Sequence, residues 1–104
     1  MKYQIINSEE YCDIIVVENF QKSSTDFPIG MYEINYQIQI NWKESLKVPI
    51  GVDELFIIVP AKLRVHRKDV LEKLYSEFRK FVDCRIIITL VCKIDGKFVV
   101  LYSK

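Results

Sequence analysis

Residues that carry enzyme chemistry are scarce in this chain of 104 residues. Histidine, the side chain that titrates closest to neutral pH, occurs once, as His66, and no serine or cysteine lies next to it as a nucleophile. The adjacent acids Glu9-Glu10 and Asp53-Glu54 would point to opposite faces of a strand, so neither pair forms a two-carboxylate site by itself. The three glycines are isolated from one another, which excludes a glycine-rich phosphate loop. We therefore expect no enzyme activity, no metal site and no cofactor.

The three cysteines give no sign of a disulfide framework. They are odd in number, they form no C-x-x-C pair, and the start of the chain lacks the sustained apolar core of a secretion signal. Free thiols in a reducing cytoplasm are the expectation. Because Cys84 and Cys92 have the same parity along one predicted strand, both should point into the core.

Long apolar runs and an excess of charge are absent too. No apolar run approaches the roughly 18 residues that a membrane span needs. The formal net charge is +1, so no overall field attracts nucleic acid or a membrane surface. The charge is divided unevenly: residues 1–54 carry four lysines and nine acids, or −5, and residues 55–104 carry eleven basic residues and five acids, or +6. The two halves can attract each other within one fold, or the second half can present a basic face.

Isoleucine is abundant, with fifteen residues against a single alanine, and this bias favours strands. The clearest pattern is Y-E-I-N-Y-Q-I-Q-I-N-W at positions 32–42, in which apolar and polar residues alternate. Successive side chains of a strand point to opposite faces. Tyr32 to Trp42 is therefore predicted as a long strand with one buried face and one wet face.

Shorter patterns predict five further strands, at 2–6, 11–18, 54–59, 85–93 and 97–102. Pro60 interrupts the third of these because proline has no N–H for a ladder, and alternation resumes over 62–66. Asp95-Gly96 fits the type I′ turn that closes the last hairpin. Residues 19–30 and 43–53 are predicted as connections. A helix capped by Ser8 is the alternative for residues 8–18.

One helix is predicted, over Lys68 to Asp83. Its apolar residues fall on one stripe at 3.6 residues per turn: Val70, Leu71, Leu74, Tyr75, Phe78, Phe81 and Val82. Together these elements predict a single α+β domain over residues 1–104. It has a mostly antiparallel sheet of about six strands with one principal helix on one face, in the order β-β-β-β-α-β-β.

The wet face of the long strand carries an uncharged amide row. Its members are Asn35, Gln37, Gln39 and Asn41. An exposed face more commonly mixes in Lys and Glu for solubility, whereas amides donate and accept hydrogen bonds at once. The row is therefore predicted as a protein-binding surface, and a layer packed against the chain's own loop is the alternative. The large apolar content also exceeds what one helix on one sheet needs, which fits either a homodimer or a well-filled monomer core.

Nucleic-acid binding is the alternative, through the basic segment of Lys62, Arg64, Arg67 and Lys68. Lys62 and Arg64 share one parity of the predicted strand, and cations in a row can follow phosphates. A charged edge strand that discourages aggregation would have the same appearance.

The sequence thus favours a small, non-catalytic cytoplasmic binding protein that acts through protein–protein contacts, as an inhibitor, adaptor or assembly factor. Scarce alanine with abundant isoleucine and lysine suggests AT-rich coding, which suits a phage or another virus. No contact with a membrane is expected.

Overall fold

The computed structural model describes residues 2–22, 32–65 and 68–104, with side chains described over 2–18, 36–64 and 68–104. Six strands and one helix follow one another as β1 (Tyr3–Asn7), β2 (Cys12–Lys22), β3 (Tyr32–Trp42), β4 (Glu54–Ile58), α1 (Lys68–Arg79), β5 (Ile87–Ile94) and β6 (Lys97–Ser103). Short 3₁₀ turns occupy Ser8–Glu10 and Ala61–Val65. The predicted α+β class and the order β-β-β-β-α-β-β are confirmed.

The strands form two sheets rather than one. Four strands lie in the order β1-β4-β5-β6, and β2 and β3 form a separate antiparallel hairpin. The larger sheet is mixed, because β1 pairs with β4 and β4 with β5 in parallel, while β5 and β6 are antiparallel. Parallel neighbours need a crossover connection. The hairpin supplies the connection between β1 and β4, and α1 supplies the one between β4 and β5. The sheet is therefore less antiparallel than the sequence predicted.

The β2–β3 hairpin confirms the long alternating strand. Its register runs from Cys12 opposite Trp42 to Lys22 opposite Tyr32. The structure also settles the open choice at residues 8–18 in favour of a strand that begins at Cys12. Ser8 instead begins a single 3₁₀ turn, which the side-chain oxygen of Asn7 caps by accepting from the Glu9 N–H at 3.1 Å.

Two predicted elements have different boundaries. The strand does not resume after Pro60, because Ala61–Val65 forms a 3₁₀ helix that buries Leu63. The predicted connection at 19–30 begins later, since β2 continues to Lys22, and the remaining residues 23–30 lie outside the described part of the chain.

The helix ends at Arg79, earlier than predicted. The Arg79 guanidinium donates to the backbone carbonyls of Cys84 and Ile86 and so fixes the turn that follows the helix. This turn places Cys84 before β5, where its side chain is exposed. The prediction that Cys84 points into the core was wrong, whereas Cys92 is fully buried.

The core lies between α1 and the inner face of the four-stranded sheet. The apolar stripe of α1 is buried as predicted, through Val70, Leu71, Leu74, Tyr75 and Phe78. On the sheet, the inward residues of β4 and β5 are completely covered: Leu55, Ile57, Ile88 and Leu90. β5 lies between β4 and β6 in the sheet. The predicted hairpin turn is confirmed, with φ of 50° at Asp95 and 78° at Gly96.

Candidate protein-binding groove

The amide row occupies one exposed face of β3. Gln37, Gln39 and Asn41 are exposed, and the Gln39 side-chain amide donates to the Asn41 side-chain oxygen at 3.4 Å. Asn35 has the same parity in β3, but its side chain lies outside the described residues. The structure therefore brings three of the four predicted residues onto one accessible surface.

The polar side of α1 runs beside β3. The Trp42 ring contacts the rings of Phe78 and Phe81 at one end, and Lys73 Nζ lies 3.5 Å from the Tyr36 carbonyl oxygen at the other. The helix and the strand therefore lie side by side and run in the same direction. Between them lies an open groove of about 820 Å³. Its walls include Gln37, Ile38 and Gln39 from β3, and Glu72, Lys73, Ser76 and Glu77 from α1.

At Ile38 and Ile40, the backbone of β3 presents an open strand edge to this groove. The Lys43 N–H donates to the Tyr11 carbonyl at 2.7 Å, which makes Tyr11 and Lys43 a hydrogen-bonded pair of the antiparallel ladder. Hydrogen-bonded and non-hydrogen-bonded pairs alternate along such a ladder. By this alternation Ile38 and Ile40 belong to non-hydrogen-bonded pairs, with Val16 and Ile14. Their N–H and C=O groups therefore point away from β2, and in the described part of the chain no strand pairs with this edge.

Charges of both signs surround the groove. Asp69, Glu72 and Glu77 oppose Lys73 and Lys80, and Glu77 and Lys80 form an exposed ion pair at 2.8 Å. Exposed pairs of this kind contribute little to stability and leave both groups accessible to a partner. The near balance of charge favours neither a polyanion nor a polycation as ligand.

The basic segment has a different geometry from the one predicted. Lys62 and Arg64 are exposed on a 3₁₀ helix, in which residues two apart are separated by about 120° around the axis, so they do not form a row. Lys68 is exposed at the first position of α1, and Arg67 lies outside the described residues. Nucleic-acid binding by these residues stays a prediction.

A second concavity, of about 550 Å³, lies beside the start of β2. Its thiol, Cys12, is 1% exposed and donates to the Ser8 carbonyl at 3.4 Å. Burial, with a smaller contribution from Asp13, raises the pKa of this thiol, and Lys43 offsets the shift only in part. A raised pKa disfavours the reactive thiolate, so Cys12 behaves as a structural residue.

His66 lies outside the described residues.

The described residues contain no cluster of three or more His, Cys, Asp or Glu side chains that could hold a metal ion. They also contain no helix with the length and apolar character needed to cross a membrane.

Sequence reasoning missed the helical wall of the groove and the free edge of β3. The amide row and the polar face of α1 are visible in the sequence, but their proximity depends on how the hairpin packs against the helix. Comparison of the chain with protein families, with curated proteins and with solved structures finds no match.

Proposed function

We propose that this protein is a non-catalytic binding protein that captures an extended segment of a partner protein along β3. The observation that carries the proposal is the outward-facing backbone of Ile38 and Ile40 at the edge of an open groove. An exposed strand edge is a template for another strand, and strand addition is a recurrent mode of peptide recognition.

The groove supplies both affinity and selectivity for such a segment. Two outward residues of β3 offer up to four backbone hydrogen bonds, each contributing about 0.5–1.5 kcal/mol net. Alternate side chains of the bound strand would lie beside Gln37 and Gln39 on one face and near Glu72 and Ser76 of α1 on the other. We expect segments with polar side chains that can pair with amides and with both signs of charge.

One described contact on this edge comes from Lys73, whose ammonium group donates to the Tyr36 carbonyl oxygen. The contact is exposed and long, at 3.5 Å, so its displacement costs little. An incoming strand can therefore replace it without unfolding any part of the protein.

The proposed roles are those of an inhibitor, adaptor or assembly factor, since each can act by holding a segment of another protein. The cytoplasmic location and the phage or viral origin belong to the same proposal. They are supported by the free thiols of Cys12, Cys84 and Cys92 and by the isoleucine-rich, alanine-poor composition.

The test is to select binders from a displayed library of random linear peptides and to measure them against two variants. Ser76 is exposed in the groove, and Ser76→Arg should fill it and lower the affinity at least about tenfold, equivalent to about 1.4 kcal/mol. Ser45 is exposed outside the groove, so Ser45→Arg is the matched control and should leave affinity unchanged. Equal affinity for the wild type and Ser76→Arg would rule the groove out.

Salt dependence separates this proposal from nucleic-acid binding. A protein segment held by backbone hydrogen bonds should lose little affinity as salt rises, whereas phosphate contacts by Lys62, Arg64, Arg67 and Lys68 would give a steep fall. The matching experiment titrates a single-stranded oligonucleotide against the protein at several salt concentrations. Tight, steeply salt-dependent binding of that oligonucleotide would favour the alternative.

A further inference from the structure

The outer face of the four-stranded sheet, opposite α1, is largely apolar, and most of its large side chains are exposed around a centre in which Thr89 and Val91 are buried. The registers of β1, β4, β5 and β6 place six large apolar side chains on this face: Tyr3, Ile5, Phe56, Ile87, Phe98 and Val100. Tyr3 is 63% exposed, Phe98 50% and Val100 60%. A sheet whose strands bury side chains on one face only would normally carry polar residues on the other.

The centre of this face is a shallow depression. Its volume is about 340 Å³, and it lies over Val91, between Phe56 on one side and Phe98 and Val100 on the other. Tyr3 contacts Phe56 edge-on, with ring centroids 5.9 Å apart, and extends the apolar rim across β1. The face is therefore shaped to receive side chains from a second apolar surface.

We propose that this face is the interface of a homodimer, in which two copies pack sheet against sheet. This proposal is independent of the β3 groove, which lies on the opposite side of the core and remains accessible in both copies. A two-fold axis makes one self-complementary patch sufficient for a closed assembly.

Charges at the two ends of the face favour a second copy as the occupant. Glu54 lies on this face at the start of β4, and Lys93 lies on it near the end of β5. A two-fold axis that crosses the strands, in the plane between the sheets, reverses the strand direction. It therefore brings the Glu54 end of one copy over the Lys93 end of the other, on both sides of the axis. Two ion pairs between Glu54 of one copy and Lys93 of the other would then flank the apolar interface, one at each end.

The available area fits a reversible dimer. Four strands about 4.8 Å apart, with on average about six residues that rise about 3.3 Å each, give a face of roughly 19 by 20 Å, or about 400 Å² per copy. Two such faces bury roughly 800 Å², which is less than the roughly 1,200 Å² of a standard stable interface and typical of weak, transient ones. We expect a dimer that dissociates at micromolar concentration, not an obligate one.

The first experiment compares adjacent valines on opposite faces of β6. Val100 lies on the outer face, whereas Val99 pairs with the buried Cys92 and lies on the inner face, where it is 41% exposed. Analytical ultracentrifugation from low micromolar to millimolar concentration should show a dimer for the wild type and for Val99→Glu. Val100→Glu should be monomeric with unchanged circular dichroism. A wild type that stays monomeric throughout overturns the proposal.

The second experiment tests the ion pairs. It exchanges residues that are already charged, so its result does not depend on whether the fold tolerates a new charge on the apolar face. Glu54→Lys and Lys93→Glu should each weaken dimerisation about threefold to tenfold, because each juxtaposes like charges across the axis. The double variant should recover the wild-type dissociation constant. If the double variant is as weak as the sum of the single changes, the two residues do not meet across a two-fold axis. The proposed sheet-to-sheet dimer is then overturned.

Discussion

The indole ring of Trp42 meets the ring of Phe78 edge-on, with centroids 5.9 Å apart and an interplanar angle of 87°. Phe81 lies against the same indole at 4.9 Å. Trp42 is the last residue of β3, and the two phenylalanines lie at the end of α1 and just beyond it. These aromatic contacts join the hairpin to the helix and so determine the position of one wall of the groove relative to the other.

Replacing Trp42 should therefore affect both stability and binding. Trp42→Ala removes a half-buried ring that contacts two others, so it should lower the free energy of unfolding by about 2–4 kcal/mol. Trp42→Phe should lower the free energy of unfolding by about half as much. Urea denaturation measures this difference. Trp42→Ala should also weaken a groove-bound peptide even where the variant is fully folded. Unchanged affinity in the folded variant would mean that the contact does not position the groove.

The three thiols should react at very different rates. Cys84 is exposed, while Cys12 and Cys92 are buried and burial raises the pKa of Cys12. Ellman's reagent at neutral pH should therefore modify one thiol of the native protein rapidly and all three only in denaturant. Cys84→Ser should remove the rapid phase. Rapid reaction at a second thiol in this variant would show that the start of β2 or the centre of β5 opens readily.

The turn after α1 should contribute a small, pH-dependent stabilisation. Arg85 donates to both carboxylate oxygens of Asp83, and this side-chain hydrogen bonding is the main cause that lowers the pKa of Asp83. A carboxyl whose folded pKa is depressed stabilises the fold above its unfolded pKa of about 4, and the contribution is lost as pH falls through the folded value.

The melting temperature of the wild type should accordingly exceed that of Asp83→Asn by a constant small amount between about pH 5 and 8, and the difference should shrink below about pH 4. Arg85→Gln should behave in the same way, and the double variant should lose no more than either single one. A difference that stays constant down to the lowest pH would assign the effect to the local turn and not to the ion pair.

Local patterns in the sequence predicted local structure well. The alternation at 32–42, the apolar stripe from Val70 to Phe78 and the Asp95-Gly96 turn each specify a strand, a helix or a hairpin without reference to distant residues. Phe81 departs from its predicted role, since the helix ends before it and its ring covers Trp42 while remaining 55% exposed.

Long-range relationships could not be derived in this way. The run E-L-F-I-I of β4 has apolar residues on both faces of the strand. It therefore fits parallel and antiparallel neighbours equally well, and it does not show which face of the sheet is exposed. Lys62, Leu63 and Arg64 alternate between charged and apolar residues, which fits a strand. A 3₁₀ turn that buries Leu63 and exposes the two cations gives the same alternation. Because the groove is formed by both the hairpin and α1, the sequence indicated only one of its walls, the amide row of β3.

The most direct test of the proposed binding mode is residue-specific amide exchange, measured by NMR with and without a peptide selected on the protein. If a strand adds to β3, exchange at Ile38 and Ile40 should slow at least about tenfold, equivalent to about 1.4 kcal/mol, while Gln37 and Gln39, which already pair with β2, change little. Unaltered exchange at Ile38 and Ile40, with protection elsewhere on the surface, would contradict the account.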